Sequence, residues 1–152
     1  MKSCRFYLLS ILFLFVLFIS GCAHKNLMEQ RLGAYQLYND GDYAAAAQEF
    51  EKLIEQMPKD AELWFRLGNS YAKIKNPTKA VIAYENALLR DPELVKAWYN
   101  KGVIHLQEAL KTFVDMDNYV SEDDPVAKRG ARMREEIFEI LGGPKEVNQH
   151  EE

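Results

Sequence analysis

Covalent reinforcement is nearly absent from this chain. Its 152 residues hold two cysteines, Cys4 and Cys22, both near the N-terminus, so everything after residue 22 must fold without a disulfide or a free thiol. Histidine is equally scarce. His24, His105 and His150 lie far apart, none with a partner at metal-ligand spacing. No glycine-rich phosphate loop occurs. Asp115-Met116-Asp117-Asn118 opens like a calcium loop but lacks the following glycine and the closing glutamate. Glu135-Glu136 reads as a solvated helix face, and His105 as a repeat-interior or groove residue. No catalytic constellation is left, which argues against an enzyme and against any metal or cofactor. A basic surplus is missing too: 19 Lys and Arg stand against 23 Asp and Glu, a net charge of −4. That balance argues against nucleic acid, whose phosphates need a basic face.

Long apolar runs are likewise missing, with one exception. Phe6 to Ile19 is apolar but for Ser10, and Lys2 and Arg5 precede it. As a helix this run rises roughly 21 Å, short of the roughly 30 Å hydrocarbon core of a bilayer. A basic start, a short apolar stretch and small residues before a cut describe a secretory signal. Ile19-Ser20-Gly21-Cys22 resembles the lipobox of bacterial lipoprotein signal peptides. The resemblance implies a signal over residues 1–21, diacylation of the Cys22 thiol and cleavage before it; the covalent lipid is then the only non-protein group. Several acyl chains, at about 0.8 kcal/mol per buried CH₂, hold a protein at a membrane. Extension of the helix to Ala23 gives an uncleaved anchor as the alternative, with the domain on the same side. Loss of Lys2 and Arg5 takes the net charge from −4 to −6.

The remainder repeats itself. A shift of 34 places Trp64 on Trp98, Gly68 on Gly102, Ala46 on Ala80, Phe50 on Tyr84 and Pro58 on Pro92. It also places Ala34 on Gly68 and Leu37 on Tyr71. Small residues let antiparallel helices approach closely, here Ala34, Gly68 and Gly102 facing Ala46, Ala80 and Ala87, while large rings fill the space between. Gly41 suits a left-handed helix end, Asp42 and Asn76 suit N-caps, Pro77 suits a first helical turn, and Pro58 and Pro92 end helices.

This pattern resembles the tetratricopeptide repeat. Residues 61–94 carry Trp64, Leu67, Gly68, Tyr71, Ala80, Tyr84, Ala87 and Pro92 at that family's signature places. Residues 27–60 form another unit, with Gln30 in the tryptophan's place. A third, degenerate unit spans 95–124. It starts with Trp98, Gly102 and Leu106, has His105 where Tyr71 stood, and continues in a second helix around Leu110 to Val120 with Val114 and Asn118 in place of alanine and ring. Pro125 to Leu141 is a capping helix with Ala127, Ala131, Met133, Ile137, Ile140 and Leu141 inward; residues 142–152 form a disordered polar tail. The expected fold is all-α: a tetratricopeptide-type solenoid of helical hairpins over 27–141, with two clear repeats, one degenerate repeat and a cap.

The family's concave groove, carried over position by position, implies a partner-binding face of Arg31, Tyr35, Tyr38, Phe65, Asn69, Lys73, Lys96 and Tyr99. Met28, Asn39, Glu62, Ala72, Val103 and Gln107 fall beside them, and Tyr35, Phe65 and Tyr99 make an aromatic stripe. Chaperone-binding members clamp a C-terminal carboxylate with two basic residues and two asparagines. Arg31 and Lys96 match the basic places, but Tyr35 and Arg66 occupy the asparagine places.

Together these resemblances imply a protein or peptide partner of the bacterial envelope. They describe a scaffold anchored by lipid at the outer membrane and facing the periplasm, like a pilotin or an assembly factor for an outer-membrane complex. Ala23 and His24 after the cysteine favour the outer membrane. The tether, residues 22–26, is short, which favours a partner at the same membrane. A regulator of a peptidoglycan synthase and a self-associating structural lipoprotein are the alternatives. Metabolic labelling with a radioactive fatty acid tests the lipid site: the wild-type chain takes up label and Cys22→Ser does not, whereas equal uptake rules out the lipobox.

Overall fold

A computed structural model of the chain describes residues 27–121 and 123–142. Cys22, the signal, the tether and the tail from residue 143 lie outside the described residues. The described residues form six helices in succession: α1 Leu27–Asn39, α2 Tyr43–Gln56, α3 Ala61–Lys73, α4 Pro77–Arg90, α5 Val95–Met116 and α6 Pro125–Ile140. Each packs chiefly on its neighbours in sequence, so α1/α2 and α3/α4 are stacked hairpins and α5/α6 closes the array. The described residues contain no strand, and none of their helices is long and apolar enough to cross a membrane.

The turns inside the two hairpins are copies of each other. In the first, Asp42 N–H bonds Leu37 C=O at 3.0 Å and Gly41 N–H bonds Tyr38 C=O at 3.2 Å. In the second, Asn76 N–H bonds Tyr71 C=O at 2.9 Å and Lys75 N–H bonds Ala72 C=O at 3.1 Å. Both are helix ends closed through a left-handed residue. Gly41 has φ +86° and Lys75 has φ +57°. Glycine adopts this conformation freely, while lysine carries a steric cost. The next residue then caps the following helix: Asp42 accepts from Ala45 N–H and Asn76 from Lys79 N–H. Between hairpins, Asp60 accepts from the Glu62 and Leu63 amides. Trp64 Nε1–H bonds Pro58 C=O at 3.0 Å, and Trp98 Nε1–H bonds Pro92 C=O at 3.0 Å, so the prolines also anchor the tryptophans.

Two more steps of 34 explain where the pattern stops. Positions 109 and 110, which follow Lys75 and Asn76 in register, hold Ala109 and Leu110. Alanine is the best helix former and leucine cannot cap, so nothing ends the helix there. The separate helix expected around 110–120 does not form, and α5 runs unbroken for 22 residues. The next helix is set up by Asp124 instead: its N–H bonds Ser121 C=O at 3.0 Å, its side chain accepts from the Val126 and Ala127 amides, and Pro125 opens α6.

The core lies between the hairpins. Ala34, Ala46, Phe50, Leu53, Leu63, Ala80, Tyr84, Ala87 and Ala97 are fully or almost fully buried. Gly68 marks a close crossing of α3 and α4, since a Cβ there would stand 2.5 Å from Cε1 of Tyr84. Gly102 behaves differently from expectation. It is exposed, with nothing within 4 Å of an added Cβ, because no helix crosses α5 at that level. The crossing glycine of the last pair is Gly130, seated against Met116 and Phe113. That seat turns α6 so that Ala127, Gly130 and Ile137 face inward, while Met133 and Ile140, expected inside, are exposed. Arg134 pairs with Asp117 beside them.

Three substitutions separate these roles in urea or thermal unfolding. Gly68→Ala overpacks a ring that cannot retreat and costs about 1–3 kcal/mol. Gly102→Ala meets open space and stabilises α5 by about 0.5–1 kcal/mol. Lys75→Gly relieves the left-handed strain and stabilises by about 1 kcal/mol.

Candidate functional site: a concave groove of rings and amides

The first helices of the three pairs, α1, α3 and α5, line a groove of about 440 Å³. Its walls are Tyr38 from α1, Asn69, Ala72 and Lys73 from α3, and Tyr99, Asn100, Val103, Ile104 and Gln107 from α5, with Tyr84 of α4 at the floor. Tyr38, Asn69, Lys73 and Tyr99 are thus brought together as the sequence implied, with Ala72, Val103 and Gln107 beside them.

Hydrogen bonds fix the floor. Tyr84 O–H donates to Asn69 Oδ1 at 2.9 Å, and Asn100 Nδ2–H donates to the same oxygen at 2.8 Å. Both bonds use the Asn69 carbonyl, so its NH₂ is the group offered to a ligand. Burial pushes the Tyr84 phenol up to about 12, partly offset by a hydrogen bond with Asn100. Tyr38 is also raised, chiefly by burial and then by Tyr43, whose ring meets it edge-on at 5.1 Å. Lys73 stands exposed with its ammonium 5.8 Å from the Tyr43 ring centroid. Among the described residues it is the one charged side chain that lines the groove.

The other implied residues are used elsewhere. Phe65 is 5% exposed and packs on Tyr84 with ring centroids 6.0 Å apart. The Lys96 ammonium covers it at 4.4 Å, so Phe65 is core and the expected stripe of three open rings does not form. Tyr35 meets Phe50 edge-on and lies under the Arg66 guanidinium at 5.2 Å. Arg31 bonds Asp60 at 2.8 Å, and Lys96 bonds Glu62 at 2.5 Å, where Glu62 also accepts from Arg66 at 2.7 Å. Both candidate clamp cations are therefore neutralised within the chain. His105 is not interior: its side chain is half exposed, 3.3 Å from Glu108. Among the described residues no group of His, Cys, Asp or Glu is placed to hold a metal.

Asn100 was not anticipated. A step of 34 from Arg66, the place where the clamp would have asparagine, lands on it. Tyr84 was read only as a packing ring, yet its hydroxyl is the polar floor.

Because the Tyr84 phenol lies above its ordinary value of 10, its contribution to stability is full below pH 10 and falls as pH climbs toward 12. Tyr84→Phe loses one hydrogen bond and about 1 kcal/mol at neutral pH. In alkaline unfolding titrations the variant shows a shallower decline between pH 10 and 12 than the wild type.

The comparisons agree with this geometry. Residues 32–93 match the tetratricopeptide repeat family. Among curated proteins, the chain is similar to the general transcriptional corepressor trfA of Dictyostelium discoideum, 31% identical over 86 residues. It also resembles the peroxisomal targeting signal receptor of Candida albicans, 43% identical over 65 residues, and the SGT1 homologue of Oryza sativa subsp. japonica, 35% over 71. The matches cover 50%, 38% and 45% of this chain, but only 6%, 11% and 19% of those much longer relatives. Residues 32–93 thus resemble tetratricopeptide repeats, and the described helices form an all-α solenoid of that type.

Proposed function

We propose that this chain is a lipid-anchored scaffold of a bacterial outer membrane. In this reading it faces the periplasm and holds a protein partner for envelope assembly, as a pilotin or assembly factor does. The anchor rests on the Ile19-Ser20-Gly21-Cys22 pattern after a short apolar run. The binding mode rests on one observation: among the described residues, the concave groove presents rings and side-chain amides with a single cation, Lys73. Asn69, Asn100 and Gln107 offer hydrogen bonds to a peptide backbone, Tyr38 and Tyr99 offer apolar contact at low entropic cost, and Lys73 favours one acidic residue in the bound segment. A C-terminal carboxylate clamp is not part of this reading, since Arg31 and Lys96 are paired with Asp60 and Glu62.

Crosslinking with mass spectrometry in the native host tests it. Lys73→Glu with Gln107→Ala touches only exposed groove side chains and leaves the helical circular dichroism unchanged. The principal crosslinked partner is lost from this double variant and retained in a control, Lys52→Glu, on the opposite side of the hairpin. A crosslink unchanged in the groove variant overturns the groove as the site.

A further inference from the structure

Beside the groove wall, with which it shares Tyr99 and Val103, α5 has a face that no described helix covers. Val95 is 75% exposed and Trp98 55%. Gly102 faces open space, and Trp98, Tyr99, Gly102, Val103, His105 and Leu106 line a shallow hollow of about 480 Å³. Val95, Trp98, Gly102, His105 and Ala109 recur at steps of three and four, the spacing of a helix seam.

The chain itself shows what covers this face, because it carries two covered copies. On α3, the Trp64–Gly68–Tyr71 face is closed by α4, with Ala80 and Ala87 buried and the Tyr84 ring seated on Gly68. The Arg90 guanidinium lies 4.7 Å from the Trp64 ring and bonds Pro58 C=O. On α1, the covering helix α2 repeats the scheme one period earlier: Ala46 is buried, Phe50 fills the ring position, and Gln56 bonds Gln30, which stands in the tryptophan's place. Position for position, the cover is a small residue, a ring four residues later and a long polar side chain six residues after that. On the third copy the corresponding positions hold Val114, Asn118 and Asp124, and the first two lie at the far end of α5 and beyond it. In α6, Ala127 is followed four residues later by Ala131, not a ring, and the helix packs at Phe113 and Met116. Trp98 is nonetheless held ready by its bond to Pro92 C=O, as Trp64 is by Pro58. Lys101 joins the hollow to the α4–α5 contact: its ammonium lies 5.7 Å from the Trp98 ring centroid and bonds Glu85 at 2.8 Å.

We propose that this face of α5 docks an amphipathic helix from a partner protein. That helix runs antiparallel to α5 and carries a small residue, an aromatic four residues on and a basic residue six further, which stacks on Trp98. This site adjoins the groove at Tyr99 and Val103 and completes the third hairpin from outside.

The probe is a capped peptide of residues 76–91, the α4 sequence, locked helical by a lactam between positions 78 and 82. It is titrated into the full chain carrying Trp64→Phe in nonionic detergent, so that the emission reports Trp98. A saturable blue shift is expected. A peptide with Tyr84→Ala needs about tenfold more to reach half-saturation. Gly102→Leu in the protein removes the shift without lowering the melting temperature. Absence of a saturable shift at millimolar peptide, or equal binding of the Tyr84→Ala peptide, overturns the proposal. Sedimentation of the chain as a dimer that Gly102→Leu dissociates overturns it in favour of a second copy as the occupant.

Discussion

The structure depends on a single contact type, a ring laid across a helix backbone where no side chain intervenes. At Gly68 the Tyr84 ring fills the space a methyl would need, and that proximity sets the separation of α3 and α4. The same ring closes the core against Phe65 and, through its hydroxyl, forms the floor of the groove with Asn69 and Asn100. Core and groove therefore share a residue. Change in the packing of one reaches the hydrogen bonds of the other without passing through a loop.

Charge is disposed with the same economy. Arg31 is paired with Asp60, and Arg66 and Lys96 are both paired with Glu62. These pairs are partly exposed and contribute little stability each. They also set cationic heads over two rings, Lys96 over Phe65 and Arg66 over Tyr35. Among the described residues the groove keeps Lys73 as its one wall cation.

Much of this was legible because repeats encode the same turn twice. Gly41 with Asp42 and Lys75 with Asn76 fall 34 residues apart, and their backbone bonds match one for one. The buried alanines and rings followed from the same register. Two things were harder to read. Phe65 looks like Tyr99 one period on, but its surroundings differ: Lys96 and Tyr84 enclose Phe65, while Tyr99 has no fourth hairpin beyond it. The burial of a residue in a solenoid depends on which neighbour exists, and its own repeat does not record that. The end of the pattern was visible in Ala109 and Leu110, whose lack of any turn chemistry argued for a continuous helix. The family template, which expects a hairpin there, hid it. The inward face of α6 was misjudged for a related reason, since hydrophobicity pointed to Met133 and Ile140 while the crossing at Gly130 selected Ala127 and Ile137.

The unbroken course of α5 has a mechanical consequence. The two preceding hairpins have turns at which backbone dihedrals can adjust, so a push on one helix need not move its partner by the same angle. Over α5 there is no such joint. Its 22 residues span about 33 Å. Its stretch from Tyr99 through Val103 to Gln107 lines the groove, and its last turns hold Phe113 and Met116 against α6. It acts as a stiff lever with the groove wall at one arm and the α6 contact at the other. A torque applied where α6 sits is delivered to the groove as a rotation of that wall, so the C-terminal pair is geared to the binding surface.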